Sequence, residues 1–432
     1  MLMQQETRVV ARRRGLLSSQ AVHLALYLVL GVVTPFVVWS GLHPGLSDRF
    51  VTYTLPTIMA ACVGTWYMLA KLRNYARARH LSYVLPVNLL TFAAASAVLF
   101  ALRLPYSLSL LGSAAISTTV VSYLITARTR RGNRRLHLIA GGRIDEIEHN
   151  HNHIHITSSK ELEWAIEARA LDGAVVADLH HDHSAEWERL FAKAALAGIP
   201  VYHFRQIIEL ESGQVRIDHL SENTLGSLIP NSPYMAAKRL TDILLTLVLL
   251  PVLVPMLLAI AAAIRIDSRG PVLFIQDRVG FRGETFRMIK FRTMRERKLD
   301  DCSLAERDDA MTRDDDDRIT SIGRFLRKMR LDELPQAWNI LKGEMSWIGP
   351  RPEAIRLSEW YESELPFYSY RHIVRPGLTG WAQVNQGHVT DLDAVNDKLR
   401  YDFYYVKNIS HWLDMLIALK TVRVIVGGFG AR

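Results

Sequence analysis

Apolar residues in this chain gather into long runs before any shorter period becomes visible. Runs at 18–42, 52–72, 83–102 and 105–127 each reach the ~20 residues that a helix needs to cross a hydrocarbon core. No charge interrupts the centres of these runs, and Arg103 lies between the last two. Arg8, Arg12, Arg13 and Arg14 precede the first run, Lys71, Arg73, Arg77 and Arg79 follow the second, and Arg128, Arg130, Arg131, Arg134 and Arg135 follow the fourth. The opposite connections hold Asp48, Arg49 and Arg103 alone, so the distribution of cations predicts both ends of a four-helix block in the cytoplasm. No small-residue cleavage pattern is needed to explain the first run, which argues against a removed signal peptide.

From 135 to 230 the period shortens. RLHLIAGG and DGAVVADL read as buried strands, KELEWAIEARAL and SAEWERLFAKAALAG carry helical spacing, and IPVYHF reads as a further strand. This βαβα succession predicts a small parallel sheet of Rossmann type. Gly141-Gly142 does not complete G-x-G-x-x-G, and no acid is placed for a ribose, so a scaffold or regulatory role is favoured over nicotinamide binding. His149, His151, His153 and His155 alternate, and His180, His181 and His183 cluster. Alternating histidines share one face of a strand, and neutral exposed residues are favoured there over metal ligands.

A fifth run, LTDILLTLVLLPVLVPMLLAIAAAI, lies between Lys238-Arg239 and Arg265. A full crossing would carry residues 265–432 and their cations away from the cytoplasm. Pro251 and Pro255 interrupt the helix near its middle, so the run predicts a helix-break-helix that dips into the membrane and returns to the same side. PVLFIQDRVG and ETFRMIKF then alternate around Gly280 to Gly283 as a hairpin rich in arginine and lysine. The acidic stretch 300–317 reads as a solvated surface loop.

Composition agrees with a membrane protein, with 49% hydrophobic residues, 22% charged residues and a formal charge of +9. That charge suits anionic lipids or nucleotides, whereas no zinc-finger, helix-turn-helix or RNP pattern indicates nucleic acid. Two cysteines, Cys62 inside an apolar run and Cys302 in an acidic loop, argue against a disulfide framework and are compatible with a reducing compartment. The apolar runs lack acidic residues at their centres, which argues against a proton pump or transporter.

The chemistry concentrates at 325–352, FLRKMRLDELPQAWNILKGEMSWIGPRP. Pro335 suits the first turn of a helix, which puts Asp332 and Glu333 at a helix start, with Trp338, Ile340, Leu341 and Met345 as a buried stripe. Arg327, Lys328, Arg330 and Arg351 surround the two acids. Carboxylates walled by cations suit phosphoryl chemistry with a divalent metal, while a capped helix with surface charges is the plainer reading of this stretch alone. In HIVRPGLTGWAQVNQG, Arg375 and Trp381 read as partners for a phosphate and a base. The last helix, with Leu413, Leu416 and Ile417, suits a membrane interface or a core.

KRLTDILL, DSRGPVLFIQDRVG, FRMIKFRTM, DDRITSIGRFLRKMRLDELPQAWNILKGEMSWIGPRP and RPGLTGWAQVNQ, in this order, resemble the bacterial sugar transferase family of monotopic phosphoglycosyl transferases. The likeness covers about 234–432, and the upstream part resembles the long subgroup, polyprenyl-phosphate hexose-1-phosphate transferases. The implied architecture is a multi-domain membrane protein with a four-helix transmembrane domain (1–130), a Rossmann-like α/β domain (131–230), and a mainly helical α+β catalytic domain with a re-entrant membrane helix (234–432). The implied reaction moves hexose-1-phosphate from a UDP-sugar, glucose ahead of galactose, to undecaprenyl phosphate with release of UMP. It opens exopolysaccharide, capsule or O-antigen synthesis at the cytoplasmic face of the bacterial inner membrane. By resemblance Asp332 is the nucleophile and forms a covalent phosphosugar intermediate, Asp332 and Glu333 hold Mg²⁺, and Lys290, Arg292, Arg327, Arg351, Arg375 and Gln383 bind substrate. A homodimer is compatible with this reading. The family's serine before the bend proline is replaced by Val254, with Thr246 or a rearrangement at Pro251 as its substitute. The competing readings are a non-catalytic membrane scaffold of polysaccharide assembly and a nucleotide-sugar dehydratase or epimerase, which would require an intact dinucleotide fingerprint.

Overall fold

The computed structural model describes residues 20–43, 48–72, 81–131, 135–147, 153–168, 170–171, 173–216, 232–295, 318–386 and 392–427. The acidic stretch 300–317, His149, His151 and the arginines at 8, 12–14, 73, 77, 79 and 134 lie outside them. The chain divides into two compact units, residues 1–212 and 213–432.

The first unit begins with four long apolar helices, α1 (Gln20–Leu42), α2 (Asp48–Leu72), α3 (Val84–Ala101) and α4 (Leu108–Arg131). Their exposed positions are apolar, including Val37, Leu89, Leu108 and Ile116, while hydroxyls and an amide lie inside. Tyr27 donates to Ser122 at 2.7 Å, the Trp39 indole to Ser109 at 3.0 Å, and Asn88 to the Ala115 carbonyl at 3.1 Å. Small and hydroxyl side chains at helix contacts with apolar surface outward are the pattern of helices that pack in lipid.

The α/β part follows with β1 (Arg135–Ile139), β2 (His153–Ile156), α5 (Ser159–Glu167), β3 (Gly173–Ala177), α6 (Ala185–Leu196), β4 (Val201–His203) and α7 (Phe204–Ser212). All strands pair in parallel, in the order β2-β1-β3-β4. Buried Ile139, Val175 and Ala177 pack towards α5 and α6, and Leu138, Val176 and Phe204 form a second layer on the other face. Both faces are therefore covered, as the continuous apolar strands require.

In the second unit α8 (Ser232–Asp267) is helical throughout, including Pro251 and Pro255, where the sequence predicts a break. Each proline removes one N–H and opposes one carbonyl, which is enough to bend a helix without ending it. The contacts at its two ends require such a bend. Near the start, Arg239 donates to the carbonyls of Ile340 and Leu341, and Thr246 accepts from the Trp347 indole at 2.9 Å. Near the end, Ile260 and Ile264 pack with Phe291 and Leu326, with Leu331 and Leu334 at the edge of the cluster. A straight helix would hold these ends roughly 35 Å apart at 1.5 Å per residue, whereas their partners lie within a few turns of one another. Thr246 also donates to its own Asp242 carbonyl at 2.7 Å.

The hairpin β5 (Leu273–Val279) and β6 (Thr285–Phe291) follows, as its alternation predicts. Then come α9 (Ser321–Lys328), a 3₁₀ turn at Leu331–Gln336, α10 (Ala337–Lys342), β7 (Ser346–Ile348), α11 (Ile355–Glu364), β8 (Gly377–Thr379), α12 (Trp381–Asn385), α13 (Leu392–Lys407) and α14 (His411–Gly427). Leu413, Leu416 and Ile417 are fully buried, so α14 packs as a core helix. Its Asp414 accepts from Lys238 at 2.6 Å, Tyr234 at 2.8 Å and Tyr405 at 2.9 Å, which fastens the start of α8 to α13 and α14.

β7 and β8 pair in parallel with almost no space between their flanking loops. A Cβ on Gly377 would lie 2.0 Å from the Gly349 nitrogen, so only glycine permits this approach. Gly377→Ala is expected to cost about 2–3 kcal/mol and to lower the thermal unfolding midpoint of the purified protein by roughly 5–10 °C. An unchanged midpoint in differential scanning fluorimetry would show that the strands separate freely.

Candidate active site

Thr320 caps α9 by accepting from the Gly323 N–H at 3.0 Å, and Leu326 buries that helix against α8 and β6. Arg330 then adopts a left-handed conformation, φ 54°, which is costly for a residue with a Cβ. The reversal ends α9 and starts the 3₁₀ turn that carries Asp332 and Glu333. Asn339, wholly buried on α10, accepts from the Ile289 N–H at 3.2 Å and donates to the Arg287 carbonyl at 2.8 Å. Those two bonds lock the acid-bearing segment to β6. On β6, Lys290 shares a strand face with buried Phe286 and Met288, so its ammonium is directed inward.

The two acids are treated unequally. Glu333 is buried and accepts from Arg351 Nη2 at 2.8 Å. Asp332 is half-buried, and its carboxylate makes no hydrogen bond or ion pair among the described residues. Burial and then the neighbouring charge of Glu333 push Asp332 up to about 6, against the attraction of Lys290, Arg351 and Arg327. For Glu333 burial also acts upward, but the charges of Arg351 and Lys290 and the Arg351 hydrogen bond outweigh it and hold Glu333 down at about 2. Lys290 falls to about 8, through burial and the charges of Arg351 and Arg278, with Glu333 and Asp332 opposing. Glu333 is thus favoured as the charged, paired carboxylate. The other is left open beside a half-buried ammonium.

Arg351 is itself held from behind. Arg371 donates to the Arg351 carbonyl at 2.8 Å and pairs with buried Asp402 at 2.8 Å. Glu353, kept down at about 2 against its burial by Lys398 and Arg371, pairs with Lys398, and Arg278 donates to the Pro352 carbonyl at 2.9 Å. Asn339, Glu353, Arg371 and Asp402 escape a reading by motif. The one signal that could have found any of them is the place of Glu353 two residues after Arg351.

Lys290, Arg327 and Arg351 act electrostatically on Asp332, so the fold brings those three together with the acid pair. The other predicted ligands are engaged in hydrogen bonds within the fold. Arg292 is buried, donating to the Ser268 carbonyl at 2.9 Å, the Ser268 hydroxyl at 2.8 Å and the Arg269 carbonyl at 3.1 Å. Arg375 donates to the Gly343 carbonyl at 2.9 Å, lies over the Phe281 ring at 5.0 Å and feels the charges of Arg239 and Arg282. Gln383 is buried with its amide towards the Leu378 carbonyl at 3.3 Å. Trp381, expected to face a base, is core: it stacks on Tyr404 and donates to the Gly213 carbonyl at 2.8 Å. Trp338, expected in the buried stripe with Ile340 and Met345, is exposed because the 3₁₀ turn shifts the helical phase ahead of α10.

A family model described as bacterial sugar transferase matches residues 233–428. A UDP-N-acetylgalactosamine-undecaprenyl-phosphate N-acetylgalactosaminephosphotransferase from Aeromonas hydrophila is 41% identical over 397 residues, which covers 89% of this chain and 89% of that protein. UDP-glucose:undecaprenyl-phosphate glucose-1-phosphate transferases from Xanthomonas campestris pv. campestris and Escherichia coli K12 are 40% and 39% identical over 203 and 189 residues. These matches cover 46% and 43% of this chain and 41% and 39% of those proteins.

The inward ammonium gives the site a measurable signature. Without added metal, labelling of Lys290 by an amine-reactive reagent, read by peptide mass spectrometry, is expected to rise with a midpoint near pH 8, roughly two units below an ordinary lysine. Glu333→Gln removes a charge that favours the ammonium and should move that midpoint lower. A midpoint near that of surface lysines would place the ammonium in solvent.

Proposed function

We propose, on the premise that the chain belongs to the bacterial sugar transferase family, how this undecaprenyl-phosphate hexose-1-phosphate transferase divides its chemistry between adjacent acids. A carboxylate oxygen of Asp332 attacks the β-phosphorus of the UDP-sugar. The bond from that phosphorus to the bridging oxygen breaks, UMP leaves with the electron pair, and a sugar-phosphoryl ester of Asp332 remains. A phosphate oxygen of undecaprenyl phosphate then attacks the same phosphorus and displaces Asp332, giving undecaprenyl diphosphosugar. The observation that carries this assignment is the contrast between Asp332, free of hydrogen bonds to the described residues, and Glu333, bound to Arg351 at 2.8 Å.

Arg351, fixed by Glu333 and Arg371, and Lys290 supply positive charge that lowers the repulsion between an anionic nucleophile and an anionic diphosphate. Glu333 acts as the group that orients Arg351 and keeps its charge beside the reacting phosphorus. The donor set also suits Mg²⁺, a hard cation that takes one or two carboxylates and keeps waters and phosphate oxygens as its remaining ligands. Asp332, with Glu333 beside it, would hold the ion, which neutralises diphosphate charge when bound.

The bend of α8 supports a re-entrant membrane helix whose two ends return to one side, the cytoplasmic side by the distribution of cations. Exposed Leu244, Val248, Val252 and Leu258 leave that helix an apolar surface for lipid. For the donor we take UDP-N-acetylgalactosamine first, because a relative matched over 89% of both chains is named for it. UDP-glucose is the second reading, because relatives matched over the half that carries the acid pair are named for that sugar. The pathway reading remains the first membrane-bound step of a surface polysaccharide.

UMP release, measured over a panel of UDP-sugars with undecaprenyl phosphate and Mg²⁺, is expected to be fastest with UDP-N-acetylgalactosamine. Asp332→Asn should lower it at least ~10³-fold, and Glu333→Gln by about 10²-fold. Normal turnover in the Asp332→Asn enzyme would sink the nucleophile assignment. Topology reporters inserted at 230 and at 432 should both read cytoplasm, whereas a periplasmic signal at 432 alone would make α8 a full crossing.

A further inference from the structure

Asp178, His180 and His203 meet at the carboxyl edge of the parallel sheet in the first unit. Asp178 follows β3, His203 ends β4, and the Gly141-Gly142 turn follows β1. With the strand order β2-β1-β3-β4, the connections leave β1 and β3 in opposite directions, which opens the crevice where such sheets bind ligands.

The crevice is not shaped for a dinucleotide. Asp178 Oδ2 accepts from the Arg143 N–H at 3.0 Å, and Oδ1 accepts from the His180 N–H at 3.2 Å. A Cβ on Gly142, φ 62°, would lie 2.4 Å from Oδ2, so the carboxylate fills the glycine turn that a pyrophosphate would approach. An anion already occupies the anion's place. What faces outward from it is a set of metal-binding atoms.

We propose that Asp178, His180 and His203 form a site for a divalent transition metal of the zinc class. One donor atom from each residue lies within 4.8 Å of the others. His203 Nε2 stands 3.1 Å from His180 Nδ1 and 3.4 Å from Asp178 Oδ1. Tetrahedral bonds of ~2.0–2.1 Å put neighbouring ligand atoms roughly 3.3 Å apart, which both His203 distances already match, and the His180–Asp178 edge closes from within 4.8 Å. Two imidazole nitrogens and one carboxylate oxygen select a borderline cation over Mg²⁺ or Ca²⁺ and leave a fourth position for water or an exogenous ligand.

The surroundings set the resting positions of the ligands. His203 stacks on buried Phe204, with centroids 4.7 Å apart, and His183 Nε2 contacts the Asp178 carbonyl at 2.9 Å. The Arg205 N–H donates to His203 Nδ1 at 3.1 Å, which puts the His203 proton on Nε2, between the other two ligands. In that tautomer Nε2 carries the proton, and metal binding there requires it to move. Loading transfers that proton to Nδ1 and turns the ring from the Arg205 N–H.

The test uses the full-length protein, purified in detergent with a tag that contains no histidine, stripped with chelator and titrated with Zn²⁺ or Co²⁺. The expected result is one ion per chain, retained through gel filtration, with the Co²⁺ visible bands of a low-symmetry N/O site. His180→Ala and His203→Ala should each weaken binding at least ~10-fold, while the His153→Ala/His155→Ala double variant on β2 should leave it unchanged. His180 is exposed, so its variant reads the site even where His203→Ala disturbs the fold. Absence of a retained ion, or unchanged binding in the His180→Ala/His203→Ala double variant, would overturn the proposal and leave an Asp–His hydrogen-bond cluster.

Discussion

The ion pair between Glu333 and Arg351 is the constraint around which the second unit is built. Two neighbouring carboxylates cannot both be buried and ionised without a cation close by, since each loses hydration and repels the other. Arg351 resolves this for one of them, and the fold then spends several buried groups on Arg351. Arg371 takes its carbonyl, Asp402 balances Arg371, and Glu353 and Lys398 extend the charge pattern. The result is a rigid cation beside an aspartate that has no partner among the described residues.

That rigidity reaches the backbone through close packing. Gly349 and Gly377 bring β7 and β8 together immediately before Arg351, and Asn339 binds α10 to β6 so that Lys290 and the acid pair share one wall. The bend in α8 ties a helix with an exposed apolar surface to the same wall, because its start caps α10 and its end packs beneath the 3₁₀ turn. Under the proposed function, this arrangement lets a lipid phosphate and a water-soluble nucleotide sugar meet without either leaving its own phase.

The first unit uses similar materials for a different purpose. Its sheet has the strand order of a ligand-binding α/β domain, yet an aspartate closes the glycine turn and histidines rim the crevice. The same topology thus presents nitrogen and oxygen donors in place of backbone N–H groups.

Much of this was legible along the chain. Long apolar runs, alternation in the β5–β6 hairpin and the βαβα succession are local patterns, and local patterns survive without tertiary information because burial repeats with the period of the element. Asp332, Glu333 and Arg351 stood out because charge beside apolar sequence is costly unless it is used. What separates Asp332 from its neighbour was not legible, since the pairing of Glu333 depends on an arginine eighteen residues away whose direction is set by β8, α13 and the loop before them. The roles of Arg292, Arg375, Gln383 and Trp381 were undecidable for the same reason. Each is polar or aromatic in a glycine-rich or basic segment, and only packing decided that Arg292 holds a loop and Trp381 fills a core. His203 joined Asp178 and His180 because parallel strands bring distant chain ends to one edge. Sequence thus determined which elements form and where charge collects, and tertiary structure decided which charges remain free, because that depends on partners supplied across the fold.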